Sequence, residues 1–264
     1  MSKLVAEALG TFTLCFIGAG SICTATMVGA GYAGLLGVAI AHGLALSIAV
    51  SATMNVSGGH VNPAVTAAML ITGRIKVSGA AQYVVAQLIG GVIAGLLVLA
   101  IFDGMTAGGG ETAASVVKVL QFGVQIGESG GGETAASVVK EAGLGTPFYD
   151  AAKLSMGKAI LVEGALTFLL VFAVFGTAVD PRAPKLGGFA IGLTIAMDIL
   201  LGGPLTGAAM NPARTFGPGI VAAASGNLKV FWSQHVVYWV GPILGGILAG
   251  LVYEKLILAR QKDA

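Results

Sequence analysis

Charge is scarce in this chain. Asp, Glu, Lys and Arg make up 10% of its 264 residues, and 14 basic against 12 acidic side chains leave a net charge of about +2. No basic block is long enough to follow a phosphate backbone, so nucleic acid is excluded as a partner. Cysteine is nearly absent. Cys15 and Cys23 fall in one apolar segment and read as buried thiols, with a disulfide or metal pair as the weaker alternative. The three histidines, His42, His60 and His235, are too dispersed for a metal site. Catalytic groupings are missing as well. Ser57 and His60 have no third member, and there is no phosphate loop, paired-carboxylate arrangement or signature of ATP-driven transport. The chain is therefore read as non-enzymatic, without cofactor or metal.

What remains is apolar. Hydrophobic residues make up 56% of the chain and the mean hydropathy is +0.90, which places it in a lipid bilayer and not in water. Apolar stretches run at 4–28, 35–56, 80–102, 157–179, 187–204 and 232–254, each near the roughly 20 residues a helix needs to cross hydrocarbon. The first holds Glu7 and has no basic leader or clear cleavage site, so it reads as a retained span. Six crossings put both termini on one face. Lys3, Arg74, Lys76, Arg182, Lys185, Lys255, Arg260 and Lys262 lie on that face, against Lys118, Lys140, Lys153, Lys158 and Lys229 opposite. The bias is concentrated in the short links and predicts cytoplasmic termini. The expected location is a cell membrane, first choice a prokaryotic inner membrane, with an internal membrane as the alternative.

Two apolar segments, 62–73 and 211–222, are too short to span and too apolar for surface loops. Re-entrant half-helices fit, because irregular backbone at membrane depth survives only beside protein or a watery cavity. The chain also repeats itself. Asn62-Pro63-Ala64 recurs as Asn211-Pro212-Ala213, AEALGTF at 6–12 as VEGALTF at 162–168, and GVIAG at 91–95 as GILAG at 246–250. Each half holds an odd number of spans, so the second half enters from the opposite face. The predicted fold class is an all-α membrane protein with six transmembrane helices and two re-entrant half-helices in an inverted three-helix repeat. Its parts are 1–102, the first repeat, an exterior connecting loop at 103–156, and 157–264, the second repeat. Gly91/Gly95 and Gly246/Gly250 are spaced for close helix contact, either within one subunit, the reading taken, or between subunits. The connecting loop carries GGGETAASVVK twice, at 108–118 and 130–140, read as a tolerated insertion with a lid as the alternative.

The inversion brings the two half-helices together N-terminus to N-terminus near the midplane. Proline at the first helical position costs nothing there. The preceding asparagine caps backbone donors through its carbonyl and turns its amide NH2 toward a pore. Asn62 and Asn211 thus become paired donors to a passing water, while the positive helix ends repel cations. The plain alternative is two helix caps in a packed bundle. Arg214 follows directly in an apolar setting, either as a pore-lining donor or as a buried ion pair with Glu163 or Glu7. Glu7 and Glu163 otherwise brace the half-helix and loop backbones. His60 lines the entrance or braces the loop. His42 alone reads equally as core, and Asp198 stands in the fifth span without an assignable partner.

SGGHVNPAV at 57–65 and GAAMNPARTFGP at 207–218 closely resemble the two signature loops of the major intrinsic protein family, the aquaporins and aquaglyceroporins. The resemblance covers nearly the whole chain except about 104–154. It implies a homotetramer with one pore per subunit and a second constriction toward the exterior mouth. The family's four constriction positions match His42, Ile199, Ala208 and Arg214. That quartet departs from strict water channels and from glycerol channels and looks like the plant tonoplast subgroup. Tyr238-Trp239 and Thr215 lower the glycerol reading. Val65 lines the apolar wall or simply packs. The function implied is passive water conduction, with ammonia, urea and hydrogen peroxide as further candidate solutes. The competing accounts are a glycerol facilitator, an alternating-access transporter and a structural membrane protein.

Overall fold

The computed structural model describes residues 1–29, 34–107, 137–184, 186–226 and 231–258, and its regular elements are helical. Six helices are long and apolar enough to cross a membrane. Three belong to the first half: α1 (Ser2–Val28), α2 (Gly34–Ser57) and, after the short α3 (Pro63–Ile71), α4 (Val77–Phe102). The second half follows the short α5 (Val138–Ala142). It comprises α6 (Met156–Val174, ending in a π turn to Val179), α7 (Phe189–Thr206), the short α8 (Pro212–Ala224), α9 (Phe231–Gln234) and α10 (Val237–Val252, wound as π to Leu258). The spans thus lie where hydropathy placed them, a few residues longer at the start of the third and the end of the sixth. The termini-bearing face is called here the terminal face and the opposite one the loop face.

Polar residues inside the spans are accommodated by the helices themselves. Thr11, Thr53 and Thr167 donate to the carbonyls of Glu7, Ala49 and Glu163 one turn back, at 2.7–2.9 Å. This spends their hydroxyls where no water is available. The halves then pack alike. The first span lies along the third (α1 on α4), the fourth along the sixth (α6 on α10), and α2 meets α7 across the centre. Each third span carries the half-helix of the other half, α4 against α8 and α10 against α3.

Glycine makes the last contact possible. A Cβ on Gly91 would lie 2.8 Å from the Ala213 carbonyl oxygen, and one on Gly246 would lie 3.0 Å from that of Ala64. Gly95 and Gly250 face Pro218 and Ala68 in the same way. These pairs therefore serve contacts within the subunit, pressing each half-helix into the bundle. The two halves thus exchange half-helices.

The described part of the connection between the halves packs partly into the bundle. Thr106 and Ser137 form an isolated antiparallel bridge, and Val138 N–H donates to Met105 O at 3.1 Å, so the ends of the stretch between them are adjacent. Most of the duplicated GGGETAASVVK string, 108–118 and 130–136, lies outside the described residues, as do Lys118, Lys185, Lys229, Arg260 and Lys262 of the charge count. Residues 138, 139 and 142–149 of the connection are buried, while 103–106, Lys140 and 151–153 are exposed. Val138, Val139, Leu144, Phe148 and Tyr149 join α1, α4 and α8 or the loop-face end of α6. Hydropathy missed this because the segment is too short and too interrupted to resemble a span. Gln234 pins it, accepting from Tyr149 N–H at 2.9 Å and donating to Tyr149 O at 2.7 Å.

At the terminal face, Arg74 pairs with Glu254 at 2.7 Å and lies over the Phe175 ring. Arg182 and the Tyr253 hydroxyl both donate to Asp180. The Arg182 guanidinium holds the Asp180 carboxyl well below the usual carboxylate range.

Candidate functional site

The centre of the molecule is built from two loops that approach from opposite faces. Asn62 and Asn211 sit in extended backbone at the N-termini of α3 and α8. The Asn62 Oδ1 accepts from Ala64 N–H at 2.8 Å, and the Asn211 Oδ1 from Ala213 and Arg214 N–H at 3.0 and 3.3 Å. Pro63 and Pro212 occupy the first helical position, where a missing N–H leaves nothing unsatisfied. Each amide then crosses to the other half: Asn62 Nδ2 donates to Met210 O at 2.8 Å and Asn211 Nδ2 to Val61 O at 3.0 Å. One N–H of each asparagine is therefore committed to the opposite loop, and the other is not. Such an exchange ties the two half-helices into one unit.

It also needs unusual backbone. Val61 and Met210, the carbonyls used, have φ of 55° and 51°, a region costly for any residue with a Cβ and most of all for a β-branched one. Two buried carboxylates hold them. Glu7 Oε2 accepts from Val61 N–H at 2.7 Å, while its Oε1 accepts from His60 N–H and Ser57 Oγ. Glu163 Oε2 accepts from Met210 N–H at 2.7 Å, and its Oε1 from Ala209 N–H and Thr206 Oγ1. Tyr83 and Tyr238 complete the parallel by donating to Ser57 O and Thr206 O. Gln87 has no such counterpart. It donates to Glu7 Oε2 at 2.7 Å and to Thr66 Oγ1, a contribution invisible to a sequence reading that followed the repeat.

Two narrow cavities flank this junction. The one on the terminal side, about 10 Å³, is lined by His60, Asn62, Val65 and Asn211 together with apolar residues of α1, α2, α6 and α7. His60 is fixed within it. Thr66 Oγ1 already donates to Asn62 O, so His60 Nδ1 is the donor in their 3.1 Å contact. The loop-face cavity, about 20 Å³, is lined by His42, Ile199 and Arg214, by Ile22 of α1, and by Thr146, Pro147 and Phe148 of the inter-half connection. Each is of the size that holds a single water, for which about 10–15 Å³ suffices.

Of the four residues expected at a constriction, His42, Ile199 and Arg214 come together at this cavity; Ala208 is buried nearby, and its neighbour Gly207 lines the wall instead. His42 Nδ1 lies 2.8 Å from Val38 O, a carbonyl, and so must donate. Its Nε2 lone pair then accepts from Arg214 Nη2 at 2.7 Å. Ion pairs among the described residues are Arg74–Glu254, Lys153–Asp150 and Arg182–Asp180, so Arg214 is bound to neither Glu163 nor Glu7. Both carboxylates are occupied by backbone N–H groups, which removes the ion-pair reading. Thr146, Pro147 and Phe148 had no signal in the sequence, since nothing in their spacing distinguishes them from other loop residues. Asp198 is 1% exposed, and neither carboxylate oxygen has a partner among the described residues.

A bundle of six spans with two inward half-helices and narrow polar-edged cavities at their junction defines a multi-pass membrane protein. The major intrinsic protein family model matches residues 1–253, and the chain belongs to that family. It is 41% identical over 266 residues to a probable aquaporin TIP3-2 of Arabidopsis thaliana, covering 96% of this chain and 83% of that protein. It is 39% identical to aquaporin TIP4-4 of Zea mays, covering 97% and 87%. These relatives are of the plant tonoplast type that the His42, Ile199, Ala208, Arg214 quartet resembles. In fold it is similar to the solved aquaglyceroporin of Plasmodium falciparum, with a TM-score of 0.76 and 22% identity over 100% of this chain and 99% of the other.

Proposed function

We propose that the chain is a passive water channel with a single-file pore running through the two cavities and past both asparagines. The observation that carries this reading is the pair of Asn62 and Asn211 side chains, each with one amide N–H bonded across the junction and both at the wall of one single-water cavity. A water at the junction accepts from the remaining N–H groups, which turns its own hydrogens away along the pore axis. Two successive waters in the same orientation are thereby prevented, and a proton wire is interrupted. The N-termini of α3 and α8 add positive potential at the same level, against hydronium and metal ions.

Arg214 and His42 form the second barrier in this proposal. The guanidinium is an unneutralised cation at a narrow point and repels other cations. His42 supplies less polarity to a solute than its presence suggests, because both ring nitrogens are bonded. Ile199 is apolar, so ammonia, urea and hydrogen peroxide are proposed as further solutes, with Val65 and the apolar residues about it forming the single-file wall. The relatives named as aquaporins support water as the main one, and Tyr238-Trp239 weighs against glycerol. Glu7 and Glu163 are assigned the holding of the two loops, and His60 the terminal-side entrance.

A homotetramer in the bilayer is proposed on the family resemblance. The terminal face is proposed to be cytoplasmic, supported by Lys3, Arg74, Lys76, Arg182 and Lys255 against Lys140, Lys153 and Lys158 among the described residues. A cell membrane is the proposed location; imaging that places the tagged chain on internal membranes overturns it. The functional test is osmotic shrinkage of vesicles holding the purified protein, read by light scattering. Fast water flux with a low activation energy is expected, with slow glycerol entry. Flux no faster than in protein-free vesicles overturns the proposal.

A further inference from the structure

The inner face of α1 carries Leu14, Gly18 and Ile22 at one-turn spacing. Leu14 lines the terminal-side cavity and Ile22 the loop-face cavity. Gly18 lies between them, and its surroundings differ from those of the glycines at which two backbones meet. At Gly90, Gly91, Gly217 and Gly245 an added Cβ would meet the backbone of a neighbouring helix. At Gly18 the three nearest atoms all belong to one ring, His42 Nε2, Cδ2 and Cε1, with Cδ2 at 2.7 Å and Cε1 at 3.1 Å. This glycine therefore does not serve helix approach. It leaves room for an imidazole.

That imidazole cannot move away without loss. Nδ1 is held by Val38 O at 2.8 Å and Nε2 by Arg214 Nη2 at 2.7 Å, and the residue is fully buried. We infer that Gly18 is a positioning residue of the constriction: the missing side chain on α1 sets where His42 stands, and through it where Arg214 stands. The inference rests on the pore reading above and extends the constriction to an element outside the four family positions. A methyl group at this position pushes the Nε2 edge away from α1 while Nδ1 stays anchored on its own helix. The ring tip then swings toward the lumen, and the bond to Arg214 is strained or lost.

The test uses the full chain in vesicles, with osmotic water flux measured across a temperature range for the wild type, Gly18→Ala, Gly20→Ala, His42→Ala and the double variant Gly18→Ala/His42→Ala. Gly20 is the control, because a Cβ there meets nothing within 4 Å. Gly18→Ala is expected to lower water permeability about tenfold, a rate effect equal to ~1.4 kcal/mol on the barrier. Its activation energy should rise correspondingly, a quantity that does not depend on how much protein is active. Gly20→Ala should match the wild type. Adding Gly18→Ala to His42→Ala should change neither permeability nor activation energy, since the ring it strikes is gone. Equal activation energies for wild type and Gly18→Ala overturn the inference, as does an equal rise in both backgrounds. Should Gly18→Ala fail to reconstitute, recovery on adding His42→Ala supports the assignment and continued failure overturns it. A wild type that conducts no water sinks the pore reading itself, an outcome distinct from all of these.

Discussion

Replacing Glu163 by Gln tests the physical account of the pore loops most directly, because the change keeps the shape and removes the charge. Glu163 Oε1 accepts from Thr206 Oγ1 at 2.6 Å and Ala209 N–H at 3.0 Å, and Oε2 from Met210 N–H at 2.7 Å. Each oxygen thus serves one backbone donor. A glutamine can turn its amide nitrogen to either position, and in both it points N–H at N–H. One buried backbone donor is always orphaned, at a cost of about 1–3 kcal/mol. The bond that remains is to a neutral acceptor and is weaker by about half. The donor most exposed to this loss is Met210, whose φ of 51° is held by the carboxylate. Its carbonyl is the acceptor of the Asn62 amide, so loosening it disturbs the junction.

The expected cost is therefore about 2–4 kcal/mol. At roughly 2–4 °C per kcal/mol for a chain of this size, the midpoint of thermal unfolding in detergent falls by several degrees. Water flux per reconstituted protein falls as well. A Glu163→Gln variant with wild-type midpoint and flux would refute the idea that these carboxylates hold the loops.

Three further outcomes follow from the same geometry. Gly91→Val places a Cβ about 2.8 Å from the Ala213 carbonyl and drives α4 off α8, so the variant should lose monodisperse, detergent-stable protein on size-exclusion chromatography. Asp198→Leu removes a buried carboxyl group that has no partner among the described residues and should raise the thermal midpoint, by about 1–3 kcal/mol in stability; a lowered midpoint would mean that the carboxyl group helps to hold the fold. The Asp180 pair carries a pH signature. Its folded carboxyl titrates below the unfolded value of about 3.9, so its stabilisation is complete at neutral pH, declines only as pH drops under that value, and is gone below the folded value. The midpoint difference between wild type and Asp180→Asn should therefore stay constant from pH 8 to about pH 5 and shrink in stronger acid.

Much of the fold was legible because a bilayer imposes a coarse rule. Each crossing needs a long apolar helix, so spans appear as runs, and an odd number of them per repeat dictates inversion. The half-helices were legible through their asparagine and proline, whose capping chemistry is local. The roles proposed for Asn62 and Asn211 came from that chemistry, while those of His42, Ile199 and Ala208 came only with the family resemblance. No local pattern marks a residue on one helix as the neighbour of a loop on another.

Contacts between distant segments were decided by the tertiary structure alone. The partners of Arg214 could not be read from the sequence, because Glu7, Glu163 and His42 all lie far from it along the chain; packing gives the carboxylates to backbone N–H groups and leaves His42 to accept from the guanidinium. Gln87 joins the Glu7 network from α4 without a counterpart in the second half. Residues 146–148 reach the loop-face cavity because Gln234 holds the adjacent Tyr149 by both backbone groups. The sequence by itself determined how many times the chain crosses, that its halves oppose, and which residues begin the half-helices, since those follow from solvent and local backbone chemistry. Only the tertiary structure decided which side chain answers which backbone group at the centre, because that depends on where six helices finally come to rest.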